Sequence, residues 1–403
     1  MENNFNIGKT LKTKKDKFSF FDSGFSCVAF IVLLLITRLF VRFAWTKDIQ
    51  QNLADTSVYL YLFLYVIIAI LVEAVFFFAG LITANNGKVA YFKATTFNKK
   101  PSGKTLLFAL IISVVSIFAF SGLTNVFVYS LQKFGYKTSL SNIYIPNFGF
   151  YILYVIIVGV VPAICEESLF RGVILQGFRG KGKHFAVLMS ALLFMLMHGG
   201  PDQTVHQFIL GVILGYVFIY SGSLWVTIFI HFLNNFISVT MIYITSAGAV
   251  VSETTETATQ LPSWGTLAFT LVYSLALAAL GAYIIYVCIK QMKKEKDLQY
   301  EKDKALMISL VSKDNLTNQE VALLKNAISQ VKEYELQNNK SDGEDILSQN
   351  QSEKLNQDSE KDNEDTVKKE DKTIKIAGIV LLVISLTYLA VDWILTLVNG
   401  FLG

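Results

Sequence analysis

No disulfide framework is available to this chain. Its 403 residues include three cysteines, Cys27, Cys165 and Cys288, and each lies inside an apolar run. Charge is scarce as well, at 16% of residues against 53% hydrophobic, and a net charge of +4 gives no reason to expect a nucleic-acid partner. There are only four histidines. The basic N-terminus MENNFNIGKTLKTKKDK leads into an apolar run that continues as RLFVRFAW with no small-residue cleavage site, so an uncleaved first helix is expected rather than a signal peptide. No tandem repeat is visible, and neither are the inverted repeats of a transporter.

What the chain does have is apolar length. Blocks near the roughly 20 residues needed to cross a bilayer can be read at about 24–44, 58–83, 106–131, 150–178, 185–199, 206–221, 224–246, 266–289 and 376–398, the fifth and sixth being short. The expected fold class is therefore all-α, a polytopic transmembrane bundle of about 8–9 helices. Lysine and arginine fall in alternate loops: Lys9 to Lys17, Lys88 to Lys104, Arg179 to Lys183, and Lys290 to Lys296. Short cytoplasmic loops carry that excess, so a multi-pass protein of the cell membrane with a cytoplasmic N-terminus and an external C-terminus is expected.

Residues 291–375 break the pattern, being polar. Within them Thr317 and Glu320 form a candidate capping box ahead of Val321, Leu324, Ile328 and Val331 at helical spacing, which reads as a short cytoplasmic helix or hairpin. From about Asn338 to Lys372 there is almost nothing to bury, and disorder is expected. The resulting organisation is 1–104 (tail and two accessory spans), 105–246 (core), 247–290 (a further span), 291–375 (polar loop) and 376–403 (last span).

Against this apolar background, VPAICEESLFRGVIL at 161–175 places two glutamates and an arginine in the middle of a span. Each ionisable group there costs at least ~2.5 kcal/mol on insertion scales, so such groups face the bundle interior and mark function. Glu167 and Arg171 are i and i+4 and can pair. Glu166 is about 100° round the helix from Glu167 and about 140° from Arg171, without a local partner. Pro162 removes the hydrogen bond to the Val158 carbonyl and can kink the helix, leaving a carboxylate beside distorted backbone as a candidate base.

Two histidines also sit in apolar blocks, His198 one turn after Phe194 and His231 one turn before Asn235. Counted from the basic loops, Glu166 and His198 lie ~20 Å deep and His231 ~14 Å, so the three can converge on a water. One carboxylate and two histidines are also a zinc set, though no HExxH is present.

EESLFR (166–171), FMLMH (194–198) and HFLNN (231–235) match EExxxR, FxxxH and HxxxN. These are the ordered motifs of the CAAX-protease and bacteriocin-processing (CPBP, or Abi) family of intramembrane endopeptidases, which the chain resembles over roughly residues 105–245. The resemblance implies a CAAX-endopeptidase-like core. Glu166 would be the general base that activates water and His198 its partner. His231 and Asn235 would stabilise the oxyanion, with Glu167, Arg171 and Phe194 in support. It favours a metal-free glutamate mechanism, with Zn2+ or another divalent cation on Glu166, His198 and His231 as the alternative.

The expected function is hydrolysis of peptide bonds in membrane-associated polypeptides within the lipid bilayer. A composition rich in Lys, Asn and Ile fits a bacterial origin, and the resemblance suggests peptide or bacteriocin processing or self-immunity. The alternative is a non-proteolytic membrane scaffold or regulator that binds a partner protein through residues 291–375. Elsewhere, Gly211 and Gly215 form a GxxxG expected to permit close helix packing. Arg38 and Glu73 are candidates to pair with each other, Asp202 and His206 are expected to be capping or solvated, and His184 lies in a turn.

Overall fold

The computed structural model describes residues 15–137, 145, 147–251, 261–313, 317–338 and 361–402. Described strands are absent; Lys15 and Val89 make an isolated bridge. The helices are α1 (Phe20–Ala44), α2 (Lys47–Thr56), α3 (Val58–Asn86), α4 (Tyr91–Ala94), α5 (Gly103–Lys133), α6 (Phe148–Tyr154), α7 (Val161–Leu169), α8 (Gln176–Phe178), α9 (Lys183–Met197), α10 (Thr204–Ser221), α11 (Leu224–Val251), α12 (Trp264–Val311), α13 (Asn318–Asn338) and α14 (Lys361–Leu402). Two π-helical segments, Val155–Val160 and Phe170–Leu175, join α6 to α7 and α7 to α8 into one long run. Serines start several helices by accepting a backbone N–H three residues on, among them Ser19, Ser57, Ser102 and Ser263.

Among the described residues, eight helical stretches are long and apolar enough to cross a membrane. The remaining block of the sequence reading, the fifth at 185–199, is α9, whose 15 residues reach only ~22 Å at 1.5 Å per residue, short of the roughly 30 Å hydrocarbon core. With α10 it makes a hairpin whose tip, residues 199–203, turns on the positive φ of Gly199. Trp393 of α14 closes over that tip, its Nε1–H donating to Thr204 Oγ1 at 2.9 Å.

The α6–α8 run, α9, α10 and α11 form the centre. On one side α1, α3 and α14 share an apolar cluster with α7 and α9 that includes Phe30, Phe76, Phe170, Phe194 and Leu389. On the other, α5 and α12 share a second cluster with α10 and α11 around Ile112, Leu214, Ile230 and Ile285. The GxxxG works as expected. A Cβ on Gly211 would come 2.9 Å from Ala191 Cα, and one on Gly215 would come 2.9 Å from Val187 Cγ1, so α10 lies against α9 nearly backbone to backbone.

The polar region is more ordered than its composition suggests. α12 does not stop at the membrane but runs 48 residues to Val311, and α13 folds back on it as a helical hairpin. Tyr300 stacks on Tyr334 with ring centroids 4.0 Å apart, and Tyr334 donates to Asp297 at 2.6 Å. The capping box forms: Glu320 N–H donates to Thr317 Oγ1 at 3.3 Å, and Thr317 N–H to Glu320 Oε2 at 3.0 Å. Lys313 and the Thr317 donors hold the Glu320 carboxyl down at about 2.

The packed face differs slightly from the expectation, since Ala327 and Val331 are buried while Ile328 is 43% exposed. Of the segment expected to be disordered, 339–360 lies outside the described residues. From Lys361 the chain is already helical, because the apolar span beyond it nucleates a helix that propagates outward.

Candidate active site

The long α6–α8 run is the element that sets the site. Pro162 has no N–H to give the Val158 carbonyl, and the preceding turn widens into π geometry. Asn235 of α11 supplies the missing donor, its Nδ2–H reaching Val158 O at 2.9 Å. The second π segment is stitched the same way. Ser190 donates to Phe170 O at 3.0 Å and Ser23 to Ile174 O at 2.9 Å. Side-chain donors from neighbouring helices thus satisfy carbonyls that a widened turn frees in lipid. The result is that α7, with Glu166 and Glu167, lies between two π-helical segments bonded by side chains of neighbouring helices.

The Pro162–Asn235 relation gives a direct expectation. Asn235→Ala removes the side-chain donor to the Val158 carbonyl and lowers the unfolding midpoint in detergent. In a Pro162→Ala background, where residue 162 regains its own N–H, the same change costs about 1 kcal/mol less. Equal costs in the two backgrounds refute the relation.

The charged residues of α7 divide their partners. Arg171 and Glu167 are fully buried and pair at 2.6 Å. Arg171 also donates to Gly211 O at 3.2 Å and lies over the Phe194 ring at 4.5 Å. Glu167 Oε1 meets His231 Nδ1 at 3.1 Å. A carboxylate can only accept from that nitrogen, so Glu167 fixes the Nδ1 proton and aims Nε2 elsewhere. Nε2 lies 3.9 Å from Glu166 Oε2. That oxygen is buried and makes no hydrogen bond to any described residue.

His198 caps the end of α9. Its Nδ1 is 2.8 Å from the Phe194 carbonyl, an obligate acceptor, so Nδ1 carries the proton and Nε2 is left as an acceptor. The fully buried Phe194 ring packs between the two imidazoles, with centroids 4.8 Å from His198 and 5.8 Å from His231. Contacts thus link Glu167, Arg171, Phe194, His198 and His231, with Glu166 3.9 Å from His231, while Asn235, one turn on from His231, bonds the Val158 carbonyl.

Three expectations require correction. Arg38 pairs with Asp392 at 3.4 Å, not with Glu73; α1 packs against α14 along its length, which puts the two at one level. Asp202 is 4% exposed rather than solvated, with neither carboxyl oxygen hydrogen-bonded to a described residue, because the hairpin tip is tucked into the bundle. His206 is drawn inward too, its Nε2 accepting from Asn234 Nδ2 at 3.1 Å.

Released from Arg38, Glu73 belongs to the site. Phe76 meets Phe170 with centroids 6.2 Å apart, and a Cβ on Gly80 would lie 3.4 Å from Val173. One turn earlier on the parallel α3, Glu73 is level with Glu166 and within its electrostatic reach. Its Oε2 is also buried without a hydrogen bond to a described residue. The signal was legible, a lone acid in an apolar span, but not the helix pairing that gives it a neighbour.

Among the described residues, no three His, Cys, Asp or Glu side chains are arranged to hold a metal ion. Glu166 and His231 face each other, and each of His198 and His231 donates from Nδ1, leaving its Nε2 turned to the site.

Comparison with known proteins gives one match. Residues 148–237, which span the α6–α8 run, α9, α10 and the first half of α11, match the family described as type II CAAX prenyl endopeptidase Rce1-like. No curated protein and no solved structure matches the chain. The matched segment lies inside the 105–245 region of the resemblance and leaves α5 outside, where it packs with α12.

Proposed function

We propose that this Rce1-like domain is the working part of an intramembrane endopeptidase that cleaves membrane-associated polypeptides. The observation that carries the reading is the division of labour on α7. Glu167 bonds both Arg171 and His231 through Oε1, its Oε2 staying buried and unbonded among the described residues, while the buried Oε2 of Glu166, one residue away, bonds no described residue and stands 3.9 Å from His231 Nε2.

In the proposed reaction Glu166 takes a proton from water as its oxygen bonds to the scissile carbonyl carbon. His231, oriented by Glu167 at Nδ1, and the second amide proton of Asn235 stabilise the developing oxyanion. Collapse of the tetrahedral intermediate breaks the C–N bond, and the proton held by Glu166 passes to the leaving nitrogen. His198 borders the site from the end of α9 and positions the water through Nε2. Glu73, from outside the matched domain, stands level with Glu166 on the neighbouring α3. Arg171 keeps the Glu167–His231 pair in place without touching substrate.

Localisation in the cell membrane follows from the same reading, with the N-terminus and the α12–α13 hairpin in the cytoplasm, as the basic loops favour. Peptide or bacteriocin processing and self-immunity are the substrate roles the resemblance suggests.

The test is N-terminal peptide mass spectrometry on membranes from cells with and without the active chain, followed by cleavage of the identified substrate by purified protein. Specific new N-termini are expected to depend on Glu166 at equal protein level. Purified activity is expected to survive 1,10-phenanthroline and EDTA; loss on chelation with recovery on added Zn2+ would refute the metal-free mechanism while leaving the protease assignment standing. If deletion of 300–370 removes function and loss of Glu166 does not, the chain is a scaffold.

A further inference from the structure

At the end of the bundle that carries the basic loops, far from Glu166, the structure contains a cavity of about 760 Å³. That is the size of a small-molecule site, which typically runs about 300–1,000 Å³. Its wall comes from chain segments remote in sequence: the approach to α1, the α4 turn, the α8–α9 junction, the end of α10, the cytoplasmic extension of α12, α13, and α14 near Lys375. Nine lysine and arginine side chains line it against two aspartates. Both aspartates are already engaged, Asp16 with Lys93 at 2.8 Å and Asp297 as acceptor from Tyr334.

A preference for basic residues in short loops accounts for lysine in each loop separately. It does not account for their convergence on one concavity, nor for the contribution of α13, which is not a membrane-flanking loop. The α12–α13 hairpin contributes Lys293 and Lys332 to the wall, and the chain at the end of the α6–α8 run and the start of α9 contributes Lys181 and Lys183. An anion bearing several oxygens would bridge the two sides by charge-assisted hydrogen bonds.

We propose that this cavity is a binding site for a phosphate-bearing anion, which clamps the α12–α13 hairpin to the end of the α6–α8 run. The chemistry is the same whether the phosphate belongs to a soluble phosphorylated compound or to the headgroup of an anionic phospholipid, which basic clusters at this depth also attract. The proposal is independent of the protease assignment, because its groups lie roughly 15 Å or more along the helix from Glu166.

The experiment uses the full chain in an uncharged detergent and two probes. Sodium pyrophosphate binding is followed by calorimetry, and phosphatidylglycerol retention by native mass spectrometry after extraction from bilayer discs of phosphatidylcholine with added phosphatidylglycerol. Saturable binding of one or both probes is expected, weakened about 30-fold by K181Q/K332Q and unchanged by K100Q, a basic residue outside the cavity. Pyrophosphate binding assigns a soluble phosphate compound, and lipid retention alone assigns a headgroup. K332Q by itself, on α13 outside the membrane bundle, repeats the test where the double variant fails to fold. Binding of neither probe, or equal weakening by K100Q, overturns the proposal.

Discussion

Glu166→Gln is expected to lower cleavage roughly 10²–10⁴-fold, the range over which a positioned general base contributes, while the protein reaches the membrane at normal levels. The change is nearly isosteric, and Glu166 Oε2 makes no hydrogen bond to a described residue that glutamine would break. It also removes a potential charge from a site that is 5% exposed. Thermal unfolding in detergent should therefore be unchanged or slightly raised. That combination, an inactive protein of undiminished stability, separates a base from a structural carboxylate. Unchanged cleavage in Glu166→Gln would show that both glutamates of the motif are structural.

Arg171→Met gives the opposite pattern. The guanidinium is fully buried, with a 2.6 Å bond to Glu167, a bond to the Gly211 carbonyl and the Phe194 ring beneath it. Methionine keeps part of the volume but leaves Glu167 beside His231 without its cation. Breaking one partner from a buried ion pair costs about 3–5 kcal/mol. The expected outcome is a large fall in unfolding midpoint and in membrane yield, with activity lost in proportion to folded protein. Arg171→Lys should recover only part of the loss, because one ammonium cannot bond Glu167 and Gly211 from the two ends of a planar fork. In an Arg171→Met/Glu167→Gln double variant stability should return toward the parent while activity does not, because His231 then loses the carboxylate that orients it. A double variant with full activity would assign Glu167 a purely electrostatic role.

Much of this was legible in the chain before any coordinates. The eight long spans follow from apolar run lengths, because each residue of a spanning helix must carry its own backbone hydrogen bonds and an apolar side chain. The Glu167–Arg171 pair follows from i,i+4 spacing, the capping box at Thr317 and Glu320 from the preference of a helix start for side-chain acceptors, and the close α9–α10 contact from two glycines four apart. The similar depths of Glu166 and His231 along separate helices allow the 3.9 Å approach of His231 Nε2 to the Glu166 carboxyl. Local physics decides all of these: periodicity, rise per residue and the cost of burying a charge in hydrocarbon.

What spacing along a single helix could not decide was which helices touch. Arg38 reaches Asp392 and not Glu73 because α1 lies against α14, a pairing between the two ends of the chain. Glu73 joins Glu166 because α3 packs parallel to the α6–α8 run, and Asn235 finds the Val158 carbonyl because α11 crosses the π segment that Pro162 leaves open. Composition read α12 as ending near the membrane and 361–372 as disordered, while the structure continues both as helix. A hairpin partner stabilises one, and an adjoining span nucleates the other. In a lipid solvent the apolar surface of one helix suits every neighbour alike. The choice among them is made by close packing and by a few polar groups that need a partner, and those terms exist only in the assembled bundle.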